Sequence, residues 1–206
     1  MIRSNQKGAT MLEMLGVLTI IITLAISTIK LVGNIMGVFR QSLMISEVQD
    51  LQKAISDRYK FEGTYQDLLE GKTPEEVITY LCQNKIAPFQ MCRGDKLYNR
   101  MGGRVWVMPV ENYDGDGNAF TDYEKYALVF WGLNDKACFQ AAQINWYRKQ
   151  KSDVFKMVIN SGNSKQLIVD MPHNLQAGSK SFPVPVADVT NACKNDNNNT
   201  IEWVFY

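Results

Sequence analysis

Histidine occurs once in the 206 residues, at His173, and the chain holds only six prolines and four cysteines. A lone imidazole behind Pro172 reads as a surface-loop residue, since neither a second His nor a Cys pair accompanies it as a metal ligand or relay partner. The sequence contains no G-x-x-x-x-G-K-[ST] loop, no H-E-x-x-H and no G-x-S-x-G. The backbone cradle for phosphate, the zinc-protease helix and the nucleophile elbow are therefore all missing. No C-x-x-C exists, and Cys82 and Cys92 enclose nine residues, too many for a zinc knuckle. Charge of either sign is also missing in excess: 22 Lys and Arg stand against 21 Asp and Glu, a formal net charge of +1. No basic run interleaves with aromatics, which disfavours a nucleic-acid groove. The expectation is a protein that is no enzyme and holds no cofactor.

What the chain does have is concentrated at its start. Hydrophobic residues make up 46% and charged residues 21% of the whole, enough for a packed core. After the short polar segment MIRSNQKG, the run Ala9–Ile29 carries a single charge, Glu13. At about 1.5 Å per residue a helix of that length crosses a hydrocarbon core of roughly 30 Å. Arg3 and Lys7 on its N-terminal side place that end in the cytoplasm, and Lys30 can snorkel to headgroups beyond it. An ordinary signal peptide fits poorly, because Ser27 and its neighbours offer only a weak small-x-small cleavage site. A plain anchor leaves Glu13 unexplained, since a carboxylate in an apolar span costs a few kcal/mol and usually has a partner. A cut between Gly8 and Ala9 supplies one: the new α-amine of Ala9 on a neighbouring chain.

The segment K-G-A-T-M-L-E-M-L-G-V-L-T-I-I resembles the processing motif of type IV pilins and pseudopilins. That motif has a basic residue and Gly before the cut, then Glu at the fifth mature position, then an apolar helix. The resemblance implies cleavage after Gly8 by a membrane-embedded prepilin peptidase, N-methylation of Ala9, and a role for Glu13 in filament assembly. Ala rather than Phe as first mature residue points to the type IVb subclass, and no Pro interrupts the helix as in many type IVa pilins. Further along, Val38, Ile45, Val48, Leu51, Ile55 and Tyr59 recur at three- or four-residue steps, or seven between the first two, with Glu47, Asp50, Lys53 and Asp57 facing elsewhere. That amphipathic stripe predicts one long helix over roughly residues 10–62, stopped at Gly63. The expected organisation is a leader over 1–8, a long helix over 9–62 with its transmembrane part at 9–32, and a globular head over 63–206.

Thr73-Pro74 opens the short amphipathic helix PEEVITYLCQN. Next, IAPFQM (86–91) and LYNRMGGRVWVMP (97–109) resemble type IVb pilins of the conjugative thin-pilus group. Gly102-Gly103 permits a tight entry into a strand over Arg104–Val110, and Pro109 is expected to mark its end. Further strands are predicted over Tyr126–Trp131, Phe155–Asn160, Lys165–Asp170 and Ile201–Tyr206, with a hairpin turn at Ser161–Ser164. Asn134 is expected to cap a helix running to about Lys149. YALVFWGLNDKACFQAA and NACKNDNNNTIEWVFY resemble the type IVb strand-to-Cys-helix element and its Cys-bearing partner loop. The fold class implied is the α+β type IV pilin fold: one long helix on an antiparallel sheet, with a disulfide-closed C-terminal region. The sheet order is not readable.

Four cysteines on a translocated domain suggest two disulfides, of which three connectivities are possible. The resemblance pairs Cys138 with Cys193, and Cys82 then falls to Cys92, its near neighbour. Oxygens at Asp114, Asp116, Asn118 and Asp122 partly imitate a calcium loop. Ala119 stands where the EF-hand has its glycine, however, and Lys125 where it has the bidentate Glu, so a polar turn is expected and no metal is favoured. The resemblance implies a major pilin that waits in the inner membrane, passes through a pilus assembly platform and motor, and polymerises with itself into an extracellular pilus. Adhesion, aggregation and DNA transfer are the roles that follow, with the surface ligand unidentified. A pseudopilin of a type II secretion system and a minor pilin are the alternatives.

Overall fold

The computed structural model describes residues 11–59, 61–113, 119–144, 146, 154–161, 166–170, 180–181, 184–194 and 198–206. Among the described residues, five α-helices and eight strands are formed: α1 (Met11–Tyr59), α2 (Gln66–Leu69), α3 (Pro74–Gln83), β1 (Cys92–Arg93), β2 (Lys96–Tyr98), β3 (Arg104–Tyr113), β4 (Ala119–Leu133), α4 (Asp135–Ala142), β5 (Val154–Asn160), β6 (Leu167–Asp170), β7 (Lys180–Ser181), α5 (Val186–Ala192) and β8 (Asn199–Phe205). The chain divides into two compact units, one ending at Phe39 and one running from Arg40 to Tyr206. The first unit consists, among the described residues, of helix alone.

The second unit begins with the last five turns of α1. Met44, Val48, Leu51, Ile55 and Tyr59 lie on one side and are almost completely buried. Their steps of three and four residues place them on a single stripe, as the period of an α-helix requires. Val38, expected in that stripe, is 61% exposed and belongs to the first unit, and Met44 opens the buried row instead. Ile45 is only half-buried. The helix ends at Tyr59, and Gly63 follows with φ +68°, a left-handed conformation that glycine adopts without Cβ strain.

The sheet has eight strands in the order β1-β2-β3-β4-β8-β5-β6-β7, antiparallel except for the short β6–β7 pair. The C-terminal strand β8 therefore lies at the centre, between β4 and β5. Its alternation puts Ile201, Trp203 and Phe205 into the core beside Leu128, Phe130 and Tyr126 of β4. Tyr126 ties helix to sheet: its hydroxyl donates to the Gln52 carbonyl at 3.2 Å, and its ring meets Tyr65 edge-on and stacks on Phe205. The Tyr65 hydroxyl in turn donates to the carbonyl of Tyr206 at 2.8 Å, which fixes the end of the chain.

Local chemistry explains the smaller elements. Thr73 and Glu76 form a reciprocal capping box, the Thr73 hydroxyl accepting from the Glu76 N–H and the Glu76 carboxylate accepting from the Thr73 N–H at 2.7 Å. The Thr73 N–H and hydroxyl, both donating to the Glu76 carboxylate, hold that carboxyl below its usual range. Asn134 caps α4 by accepting from the Ala137 N–H at 2.8 Å. α4 ends at Ala142 rather than near Lys149. After it, Trp146 packs its ring against Trp203 and Phe205, a contact that a run of poor helix formers (Ile, Asn, Trp, Tyr) does not oppose. Pro109 does not end its strand either. β3 continues to Tyr113 through an irregularity at Pro109/Val110, where the register jumps from Pro109–Tyr126 to Val110–Asp122. A bulge is where a strand tolerates proline, because the missing N–H falls where the ladder is already broken. β5 and β6 pair as antiparallel neighbours, and residues 162–164 of the expected turn between them lie outside the described residues.

Candidate assembly site

The first unit presents a largely apolar surface. Over residues 11–39 the only charged side chains are Glu13 and Lys30. Leu15, Val17, Leu18, Ile20, Ile21, Ile22, Leu24 and Ile26 are each 50% to 62% exposed, which is what a lone helix gives on every side. Fully removing one such side chain from water contributes about 1.5–3 kcal/mol, so this surface is not at rest in water. The hydroxyls within it are already satisfied: Thr19 donates to the Leu15 carbonyl at 2.8 Å, Ser27 to that of Thr23 at 2.8 Å and Thr28 to that of Leu24 at 2.9 Å. A hydroxyl bonded back to its own helix enters an apolar medium without an unfilled donor. An 18-residue window of this helix has a mean hydropathy of 2.3, and the helix is long and apolar enough to cross a membrane. Glu13, in the first turn of α1, is exposed. Gly8 and Ala9, the expected cleavage and methylation positions, lie outside the described residues.

In the second unit, two covalent closures and one polar latch hold the head. Cys82, on the last turn of α3, is bonded to Cys92 at the start of β1, with Cα atoms 5.9 Å apart. Cys138 on α4 is bonded to Cys193 after α5, with Cα atoms 5.7 Å apart. Neither helix α5 nor the short strands β1 and β2 are evident in the sequence pattern, yet the disulfides anchor all three regions.

The latch explains the Asn-x-x-Gly-Gly pattern. Asn99 is 1% exposed, and its carboxamide oxygen accepts from the N–H groups of Met101 and Gly103 at 2.9 and 3.1 Å. Its amide nitrogen donates to the Trp131 carbonyl on β4 at 3.0 Å. Gly103 passes so close to that carbonyl that a Cβ would overlap it. One residue after Asn99, Arg100 reaches back to α1. Its backbone N–H and its Nε donate to the two oxygens of Glu47 at 2.9 and 2.8 Å. Burial pushes the Glu47 carboxyl above its ordinary range despite those bonds, so desolvation outweighs the attraction of Arg100. The pair sets the position of the turn more than it adds net stability.

Of the acidic segment, Asp114, Asp116 and Asn118 lie outside the described residues, as does His173. Asp122 is described: it accepts from the Glu124 N–H at 3.0 Å and pairs with Lys125. The Lys125 ammonium also sits over the rings of Phe155 and Tyr206, 4.8 and 5.4 Å from their centroids. No cluster of three or more His, Cys, Asp or Glu suited to a metal occurs among the described residues.

No protein-family model and no curated protein matches the chain. Solved structures do. The type IVb pilin from Salmonella typhi is similar over 77% of this chain and 96% of its own, at 15% identity and a TM-score of 0.50. TcpA, a type IV pilin from Vibrio cholerae El Tor, is similar over 81% of this chain and 99% of its own, at 12% identity and a TM-score of 0.49. With a 49-residue N-terminal helix, a largely antiparallel sheet and a C-terminal region closed by a disulfide, the chain has the α+β fold of the type IV pilins.

Proposed function

We propose that this chain is the structural subunit, the major pilin, of a type IVb-like pilus of the conjugative thin-pilus group. The observation that carries the reading is the exposed apolar helix of residues 11–39, continuing without a break into the buried stripe of a disulfide-closed head. Such a surface needs lipid before assembly and other helices after it. In this reading a prepilin peptidase cuts after Gly8 and Ala9 is N-methylated, leaving residues 9–32 in the inner membrane. An assembly platform and motor then extract the subunit, and copies stack helix on helix into an extracellular filament.

Glu13 has the decisive part. Near the start of the span a carboxylate costs less than the roughly 2.5–3.5 kcal/mol it would at the helix centre on insertion scales, and the α-amine of a neighbouring Ala9 offsets that cost in the filament. A buried pair of this kind sets register between subunits more than it adds net stability. Glu13→Ala is expected to leave cleavage after Gly8 intact and to abolish piliation. Mass spectrometry of the fraction sheared from the cell surface, and of the membrane fraction, tests both. A dominant surface chain beginning at methylated Ala9 in the wild type, with the processed mutant retained in the membrane, is the expected result. Normal pili from the mutant would refute the pairing, and a wild-type chain confined to the inner membrane would point to a secretion pseudopilin.

A further inference from the structure

The face of the sheet turned away from the core carries a groove of about 560 Å³. Its floor is one row of register partners across four strands: Trp106 of β3 opposite Val129 of β4, Val129 opposite Glu202 of β8, and Glu202 opposite Val158 of β5. Trp131, one pleat further along β4, stands half-exposed in the wall. Its ring stacks on no other ring or cation among the described residues. Arg104 covers Trp106, its guanidinium carbon 4.5 Å from the ring centroid, and the Arg104 Nε is buried without an acceptor. Glu75, on the first turn of α3, also lines the groove.

The volume falls within the range of small-molecule sites, about 300–1,000 Å³. The lining narrows the ligand. An open indole face beside aliphatic floor residues suits a flat apolar surface edged with polar groups. The Arg104 guanidinium supplies donors to the lining, while Glu75 and Glu202 offer acceptors, so the ligand needs hydroxyls that both donate and accept. Two carboxylates against one guanidinium disfavour an anion. A peptide strand finds no purchase here, because the backbones under the groove are already paired on both sides in β4, β8 and β5. We infer that this groove is a binding site for a neutral saccharide, stacked on Trp131 and bridged by its hydroxyls between Arg104 and the Glu75 and Glu202 carboxylates. The inference concerns the head and does not depend on whether the chain polymerises.

The test uses the full chain in sugar-free zwitterionic micelles, with lactose, maltose and N,N′-diacetylchitobiose as probes and N-acetylneuraminic acid as the anionic contrast. Saturation-transfer NMR and tryptophan fluorescence report binding. At least one neutral disaccharide is expected to bind at millimolar concentration, with affinity reduced about tenfold or more by Trp131→Ala and largely restored by Trp131→Phe, a change of about 1.4 kcal/mol. Glu75→Ala, at an exposed position on α3, is expected to weaken the same probe and covers the case in which Trp131→Ala misfolds. Absence of binding by all three neutral probes overturns the inference. So does binding that neither substitution alters, or equal binding of the anionic sugar.

Discussion

Replacing Gly103 with alanine is expected to be the most damaging single methyl addition in the head. A Cβ there would lie 1.7 Å from the Trp131 carbonyl oxygen, 2.6 Å from its carbon and 3.1 Å from the Asn99 amide nitrogen. Close carbon–oxygen contacts in sheets sit near 3.3 Å, so the two backbones must part by about 1.6 Å. Parting them removes the bond from Asn99 to Trp131, about 1 kcal/mol, and leaves a buried amide unsatisfied, about 1–3 kcal/mol. Forced displacement of packed backbone adds about 1–3 kcal/mol. The total of about 3–7 kcal/mol is a large share of the 5–15 kcal/mol typical of a folded domain. Gly102→Ala is the control. It has φ +88° and no atom within 4 Å of an added Cβ, so it carries only the left-handed backbone cost of about 1–2 kcal/mol. Urea unfolding of the full chain in micelles, followed by near-ultraviolet circular dichroism of the tryptophans, separates the two. If Gly103→Ala costs no more than Gly102→Ala, the latch does not hold β3 against β4 as described.

The disulfides differ in the loops they close, with sequence separations of 10 and 55. On the loop-entropy model Cys138→Ala with Cys193→Ala costs about 4 kcal/mol and Cys82→Ala with Cys92→Ala about 3 kcal/mol; urea midpoints of the two double variants should fall in that order. Burial raises the Glu202 carboxyl above its ordinary range, with Lys156 opposing the shift. The native state therefore holds a proton that the unfolded chain has already released, and this group lowers stability as pH rises from the unfolded towards the native value. Glu202→Gln should then stabilise the head at neutral pH, with the advantage disappearing as pH falls below the carboxyl range. A difference that stays constant across a pH series of urea midpoints contradicts this.

Features governed by neighbours in sequence are legible from the residues alone. The stripe of α1 announces itself by its period, and Thr73-Pro74 marks the opening of α3, to which the structure adds a capping box with Glu76. Asn134 is a cap because its side chain needs only the N–H three residues on. Even Gly102-Gly103 marks a tight strand entry, although its reason, the carbonyl of Trp131, is far along the chain. Where tertiary contacts decide, sequence pattern stops short. α4 ends early because Trp146 is taken into the aromatic cluster with Trp203 and Phe205. β3 runs past Pro109 because β4 accommodates the irregularity.

The central place of β8 is the step that sequence pattern could not reach, and most of the candidate chemistry of the head depends on it. Glu202 in isolation is a polar residue on the outward side of an alternating strand. Only the order β4-β8-β5 sets it between Val129 and Val158, where burial perturbs its carboxyl. The β3–β4 register then adds Trp106 and Trp131 to the same face, although 24 other residues separate them in sequence. The apolar helix of residues 11–39, by contrast, is legible because its character rests on composition alone, whatever its neighbour. A helix apolar on nearly every side can be read from the residues, whereas a groove made of one row across four strands requires the fold.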